Sequence, residues 1–256
     1  MNNKTRKMNS QITQIKKLSQ KQIQKTKTQR TEKAIIFDSG ALISFSMNGI
    51  TDIIRRLKEN FKGKFLITKE IKREIIDVPM SIKRFELEAL KLKQLLDEGI
   101  LEMPSSLNIE DSEITKNTRE ILKIANSTFN GGGKNIHILD TGETSCIALG
   151  RILNERKIKN VLAIDERTTR MLVEGPENLK KILERKMDEK ISLRKENLKY
   201  FEGFKIIRSA ELVYVAYKKG LINLKNKNVL SALLYAVKFK GAAISGDEIR
   251  EIEKIG

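Results

Sequence analysis

Four acids in this chain stand where acids can act together. Asp38 follows the apolar run Ala34-Ile35-Ile36-Phe37, and Asp165 follows Val161-Leu162-Ala163-Ile164. Both runs are short and free of polar residues, and they read as buried parallel strands. In open parallel sheets the ligand site lies beyond the carboxyl ends of the strands. Two neighbouring strands ending in aspartate would therefore set two carboxylates side by side. Glu74 lies early in a helix expected after Thr68, and Glu143 opens the helix expected after Asp140-Thr141-Gly142. Four carboxylates converging without a basic partner repel one another strongly. Such a group is tolerable only around hard cations, and all-oxygen ligation suits Mg²⁺ or Mn²⁺ rather than zinc. The one cysteine (Cys146) and one histidine (His137) exclude an intrachain disulfide, a cysteine zinc cage and a His-rich metal site.

The elements that must position these acids alternate. After the first strand, residues 41–61 read as one helix, followed by a strand at Phe65-Leu66-Ile67 with Thr68 as N-cap of the next helix. Pro79 breaks that helix, Phe85 to Leu96 forms another, Gly99 closes it, and Ile100-Leu101-Glu102-Met103 is a short strand stopped by Pro104. Residues 105–135 are less regular, with a helix expected over 113–125 and a mobile loop at Gly131-Gly132-Gly133. A helix over 141–155 precedes the strand that ends in Asp165. Residues 177–203 read as a charge-dense, helical, exposed insertion. A strand at 204–207 and helices over 210–219 and 229–240 complete the chain. The order predicts an α/β fold in one domain, with a parallel sheet between helices.

The 256 residues hold 50 Lys and Arg against 33 Asp and Glu, a net charge of +17. Residues 1–33 carry +9 of it through Lys4, Arg6, Lys7, Lys16, Lys17, Lys21, Lys25, Lys27, Arg30 and Lys33, with Glu32 the one acid. This arm has no aromatic residue and few apolar ones, and disorder is expected. It reads either as a phosphate-seeking arm for RNA or as an inert extension. The +8 on residues 34–256 points to the same class of partner. No apolar run approaches the ~18–20 residues that span a bilayer. A basic start without an apolar stretch behind it is not a secretory leader, so a cytoplasmic setting without membrane partners is expected.

Residues 34–44 (AIIFDSGALIS), 65–76 (FLITKEIKREII), 139–149 (LDTGETSCIAL) and 161–170 (VLAIDERTTR) together resemble the PIN-domain nucleases. The likeness is to the branch with Gly-Glu at the third acid and Ile-Asp-acid at the fourth. Residues 203–222 look like the end of that domain. The resemblance covers about 34–240 and is interrupted near 105–135 and 177–203. It implies a three-layer α/β/α fold, a five-stranded parallel sheet in order 3-2-1-4-5, and Mg²⁺- or Mn²⁺-dependent endoribonuclease activity. By motif position the catalytic and metal-holding acids are Asp38, Glu74, Glu143 and Asp165. Glu166 is an outer helper, and Ser39 is a further supporting residue. Glu70 falls one turn too early. Many members of this branch are toxins neutralised by a small antitoxin, and many PIN nucleases pair as homodimers. Both partners are implied by resemblance only, and RNA processing is the other role it leaves open.

Each acid also has a plainer reading. Asp38 and Asp165 could cap the helices that follow them, Glu74 could be solvated beside Lys72 and Arg73, and Asp140 to Glu143 has capping-box spacing. Cys146 reads as core, and His137 as a loop residue. The functional alternative is a non-catalytic RNA-binding scaffold of PIN type. A haloacid-dehalogenase-like phosphatase would need a second aspartate at position 40, where the chain has Gly.

Overall fold

A first strand, β1 (Lys33–Phe37), buries Ile36 and Phe37 completely, as its unbroken apolar run requires. The structure is a computed structural model that describes residues 33–255. The expected disordered arm lies outside these residues, apart from Lys33, which belongs to β1. The single helix expected over 41–61 is two, α1 (Ser39–Met47) and α2 (Thr51–Asn60). Gly49 takes a left-handed φ of 69° between them, and the Asn48 side-chain amide donates to the Ser44 carbonyl. Strand β2 (Lys64–Leu66) leads to Thr68, whose hydroxyl accepts the Ile71 N–H at 3.2 Å and caps α3 (Lys69–Lys72). That helix widens into a π turn over Arg73–Asp77 before Pro79 ends it. Helix α4 (Glu86–Asp97) follows and ends at Gly99, φ 69°.

The strand expected at 100–103 is reduced to one parallel bridge, Leu66 to Glu102, with Pro104 already in a 3₁₀ turn. Helix α5 spans Asp111–Ala125. The expected mobile glycine loop is instead the turn of a hairpin, β3 (Phe129–Gly131) and β4 (Lys134–Asn135). Gly132 and Gly133 have φ of 55° and 77°, the pair of positive values a type I′ turn needs. Then come α6 (Thr141–Glu155), β5 (Lys159–Ala163) and α7 (Arg167–Glu174). The expected helical insertion is only partly helical. Helix α8 (Pro176–Met187) gives way to strand β6 (Ile191–Leu193) and a 3₁₀ stretch over Lys195–Tyr200. Strand β7 (Ile206–Ile207) and helices α9 (Ser209–Lys218), α10 (Val229–Phe239) and α11 (Gly246–Ile255) complete the fold. Helix α11 was not expected. It opens on a capping box in which the Ser245 hydroxyl accepts from Glu248 N–H and the Glu248 carboxylate accepts from Ser245 N–H.

The main sheet is parallel, in order β2-β1-β5-β7. In register, Ile35 faces Phe65 on one side and Val161 on the other, and Phe37 faces Ala163. The architecture is α/β, consistent with three α/β/α layers. A second sheet, β4-β3-β6, is antiparallel and pairs Phe129 with Leu193. The irregular stretch near 105–135 and the charge-dense stretch near 177–203 are thus joined to each other. Among the described residues no helix is long and apolar enough to cross a membrane.

Candidate active site

Neighbouring parallel strands place Asp38 and Asp165 at the same sheet edge. The Asp38 N–H donates to the Ala163 carbonyl at 3.0 Å, continuing the β1–β5 ladder by one residue. A Cβ on Gly40 would sit 3.4 Å from Asp38 Oδ2 and 3.8 Å from Asp165 Cβ, so both aspartates close on this glycine. Asp38 is 3% exposed and Asp165 2%. Asp38 Oδ2 accepts the Gly40 N–H at 3.2 Å, which makes Asp38 the N-cap of α1 as well. Asp165 does not cap α7. Glu166 does, its Oε2 accepting the Thr169 N–H at 2.6 Å, while Asp165 Oδ1 accepts the Ser209 N–H at 2.7 Å.

Glu74 comes from the π turn that continues α3 after β2, and Glu143 from the first turn of α6, before β5. Glu74 rides on the π turn, a feature frequent at functional sites. Its carboxylate lies over Gly142, where a Cβ would stand 2.7 Å from Oε1 and 2.9 Å from Oε2. Glu143 is the next residue. The Ser145 hydroxyl donates to the Gly142 carbonyl at 2.6 Å, so the 2.6 Å bond to Thr68 takes its hydrogen from Thr68. This buried chain ties the start of α3 to the start of α6. Thr68, Gly142 and Ser145 were not singled out for it from sequence, although Gly at the second position of a helix is a visible oddity. Asp140 makes no capping bond with its side chain. It is exposed and pairs with His137 Nε2 at 2.9 Å.

Burial sets the electrostatics. Desolvation, then the charge of Glu143 and more weakly that of Glu74, raise the Asp38 carboxyl from its ordinary 3.8 to about 7. Burial also raises Glu74, against a bond from the Ser39 hydroxyl, and Asp140 and Glu70 add to the rise. Glu143 is raised by burial and by Asp140, Glu166 and Glu74. Asp165 is raised by burial, opposed by its Ser209 bond. Glu166 therefore reaches the site through its charge while its oxygen caps a helix. Cys146 is wholly buried with its thiol on the Phe37 carbonyl, and burial pushes its pKa up.

Three buried carboxylate oxygens, Asp38 Oδ1, Glu143 Oε2 and Asp165 Oδ2, have no hydrogen-bond partner. Among the described residues, no Lys or Arg forms an ion pair with any of the four acids. Orphaned anionic oxygens in a buried site call for a proton or a cation. An oxygen-only set fits a hard divalent ion. As the side chains stand, no three acids among the described residues form a group that could hold a metal ion between them. The acids are coupled through charge rather than drawn into finished coordination. Comparison with models of known families finds no match, and comparisons with curated proteins and with solved structures find none either.

Proposed function

We propose that the chain is a metal-dependent endoribonuclease of the PIN type. The observation that carries this reading is three buried carboxylate oxygens without a hydrogen-bond partner, two of them on the aspartates that share a sheet edge. The order β2-β1-β5-β7, with the Glu102 bridge outside β2, accords with the family's 3-2-1-4-5 sheet. Asp38, Glu143 and Asp165 would hold one or two Mg²⁺ or Mn²⁺ ions. When bound, such an ion lowers the pKa of a water and screens the phosphodiester charge. Glu74, seated over Gly142, would complete the shell or orient the attacking water. No histidine is needed. An antitoxin, a homodimer and a cytoplasmic setting belong to the same reading.

A second reading, a non-catalytic RNA-binding scaffold, is favoured by the lack of a finished metal-ligating group among the described residues. The purified protein, incubated with a pool of single-stranded RNAs and Mg²⁺ or Mn²⁺, separates the two. Cleavage that stops on chelation supports the nuclease. RNA binding without cleavage in either metal replaces it with the scaffold.

A further inference from the structure

Beside the acids, on the far side of Asp165's backbone bonds, lies a cleft of about 490 Å³ lined by Arg167, Arg170, Arg208, Lys238, Ser245 and Glu248 among others. It gathers four cationic side chains around one carboxylate. That carboxylate is spent: Glu248 accepts from Arg208 Nη1 at 2.8 Å and from the Ser245 N–H at 2.8 Å. Arg208, 8% exposed, is also spent, on Glu211, Glu248 and the Ala243 carbonyl. Arg170 donates to the same carbonyl at 3.1 Å and lies 3.7 Å from Glu174. Arg167 and Lys238 form no ion pair among the described residues; the Lys238 ammonium rests 5.5 Å from the Tyr235 ring centroid. Two cations are therefore left uncompensated in a cleft already dense in like charge. An anion in the cleft would supply the acidic partner that these two lack.

The cleft and the acids share Asp165. Its carboxylate accepts the N–H of Ser209, the residue after Arg208, and its carbonyl accepts the N–H of Ala243 at 3.2 Å, a residue of the cleft wall. Arg167 lies two residues beyond it. A strand with one phosphodiester at the acids would therefore meet the cations across Asp165. We propose that this cleft binds a phosphate of the nucleic-acid strand flanking the bond held at the four acids. The source of the phosphate rests on the nuclease reading; the anion-binding chemistry rests on the cleft. Arginine and lysine here serve position along the backbone rather than base choice, since phosphate contacts carry no sequence information.

The test uses the full chain and a short fluorescein-labelled oligouridylate, with anisotropy followed between about 50 and 200 mM salt in the presence of a chelator. Arg167→Ala with Lys238→Ala is compared with wild type and with Lys91→Ala plus Lys123→Ala, which removes the same charge elsewhere on the body. Loss of the one phosphate contact flattens the salt slope by about 0.7 on a single strand. The control pair should change the slope far less. A slope equal to wild type, or a change no larger than the control's, overturns the proposal. A second arm titrates inorganic phosphate. Stabilisation of wild type that needs Arg167 and Lys238, with the oligouridylate slope unaffected, makes the site one for free phosphate and overturns the strand assignment. Because binding is read without metal, a protein that fails to cut RNA can still pass this test, and a cutting enzyme can fail it.

Discussion

Gly142 is the seat of Glu74: any side chain at 142 would place its Cβ 2.7 Å from Glu74 Oε1. The obstruction is the end of a flexible side chain, so the fold can yield by moving it. Gly142→Ala should therefore keep or gain stability, by up to about 1 kcal/mol, because alanine is the better helix residue. Glu74 must shift, and a misplacement of about 1 Å can cost on the order of 10²-fold in rate. Urea unfolding together with RNA cleavage rates would show this split; a variant with full activity would remove Glu74 from the proposed site.

Asp38 should make the metal-free protein sensitive to pH. Its carboxyl titrates near 7 when folded against 3.8 ordinarily. The folded state thus holds the proton more tightly, and Asp38's contribution to stability is complete below about pH 4 and lost as pH rises through about 7. Asp38→Asn keeps a good N-cap and removes that loss. At pH 8 it should be more stable than wild type by as much as roughly 4 kcal/mol, at about 1.4 kcal/mol per pH unit. The advantage should shrink steadily towards pH 4. Urea midpoints measured with a chelator would reveal it, and equal midpoints across the range would contradict the burial argument.

The Thr68–Ser145 bond should matter both to the fold and to the site. Thr68→Val removes the cap on α3 and the hydroxyl that Ser145 accepts from. The expected cost is about 1–3 kcal/mol, read as a lower urea midpoint. Cleavage should slow as well, because Glu74 and Glu143 lose their common anchor. Normal cleavage in the destabilised variant would show that the anchor serves the fold alone.

What the sequence made legible was local. β1, β5 and the acids that follow them are written as unbroken apolar runs ending in aspartate, and Thr68 is an N-cap in both readings. Glu166 took the capping role that Asp165 could have had, because adjacent acids compete for one helix end and only geometry decides. Strand β6 pairs with β3 across some sixty residues of chain, and no local pattern encodes such a partner. Residues 100–103 have strand composition but make one bridge, since Pro104 turns the chain away at once. The basic cleft draws its side chains from α7, α10, the residue before α9 and the start of α11, so its charges are unconnected in sequence.

The arm makes a separate prediction. Because β1 opens at Lys33, a deletion that spares the sheet removes residues 2–32. Nine Lys and Arg leave with it. RNA binding at low salt should weaken, and the salt slope should flatten by several steps of about 0.7. The cleavage rate of bound RNA and its metal requirement should stay. An unchanged slope would mean the arm is an inert extension.

The most direct measurement is Mn²⁺ binding by isothermal titration calorimetry, on wild type and on Asp38→Asn and Asp165→Asn, each checked as folded by circular dichroism. The account predicts that wild type binds Mn²⁺ and that each substitution weakens binding at least about tenfold, which is about 1.4 kcal/mol. Wild type that binds no Mn²⁺, or binding that neither substitution weakens, would contradict it.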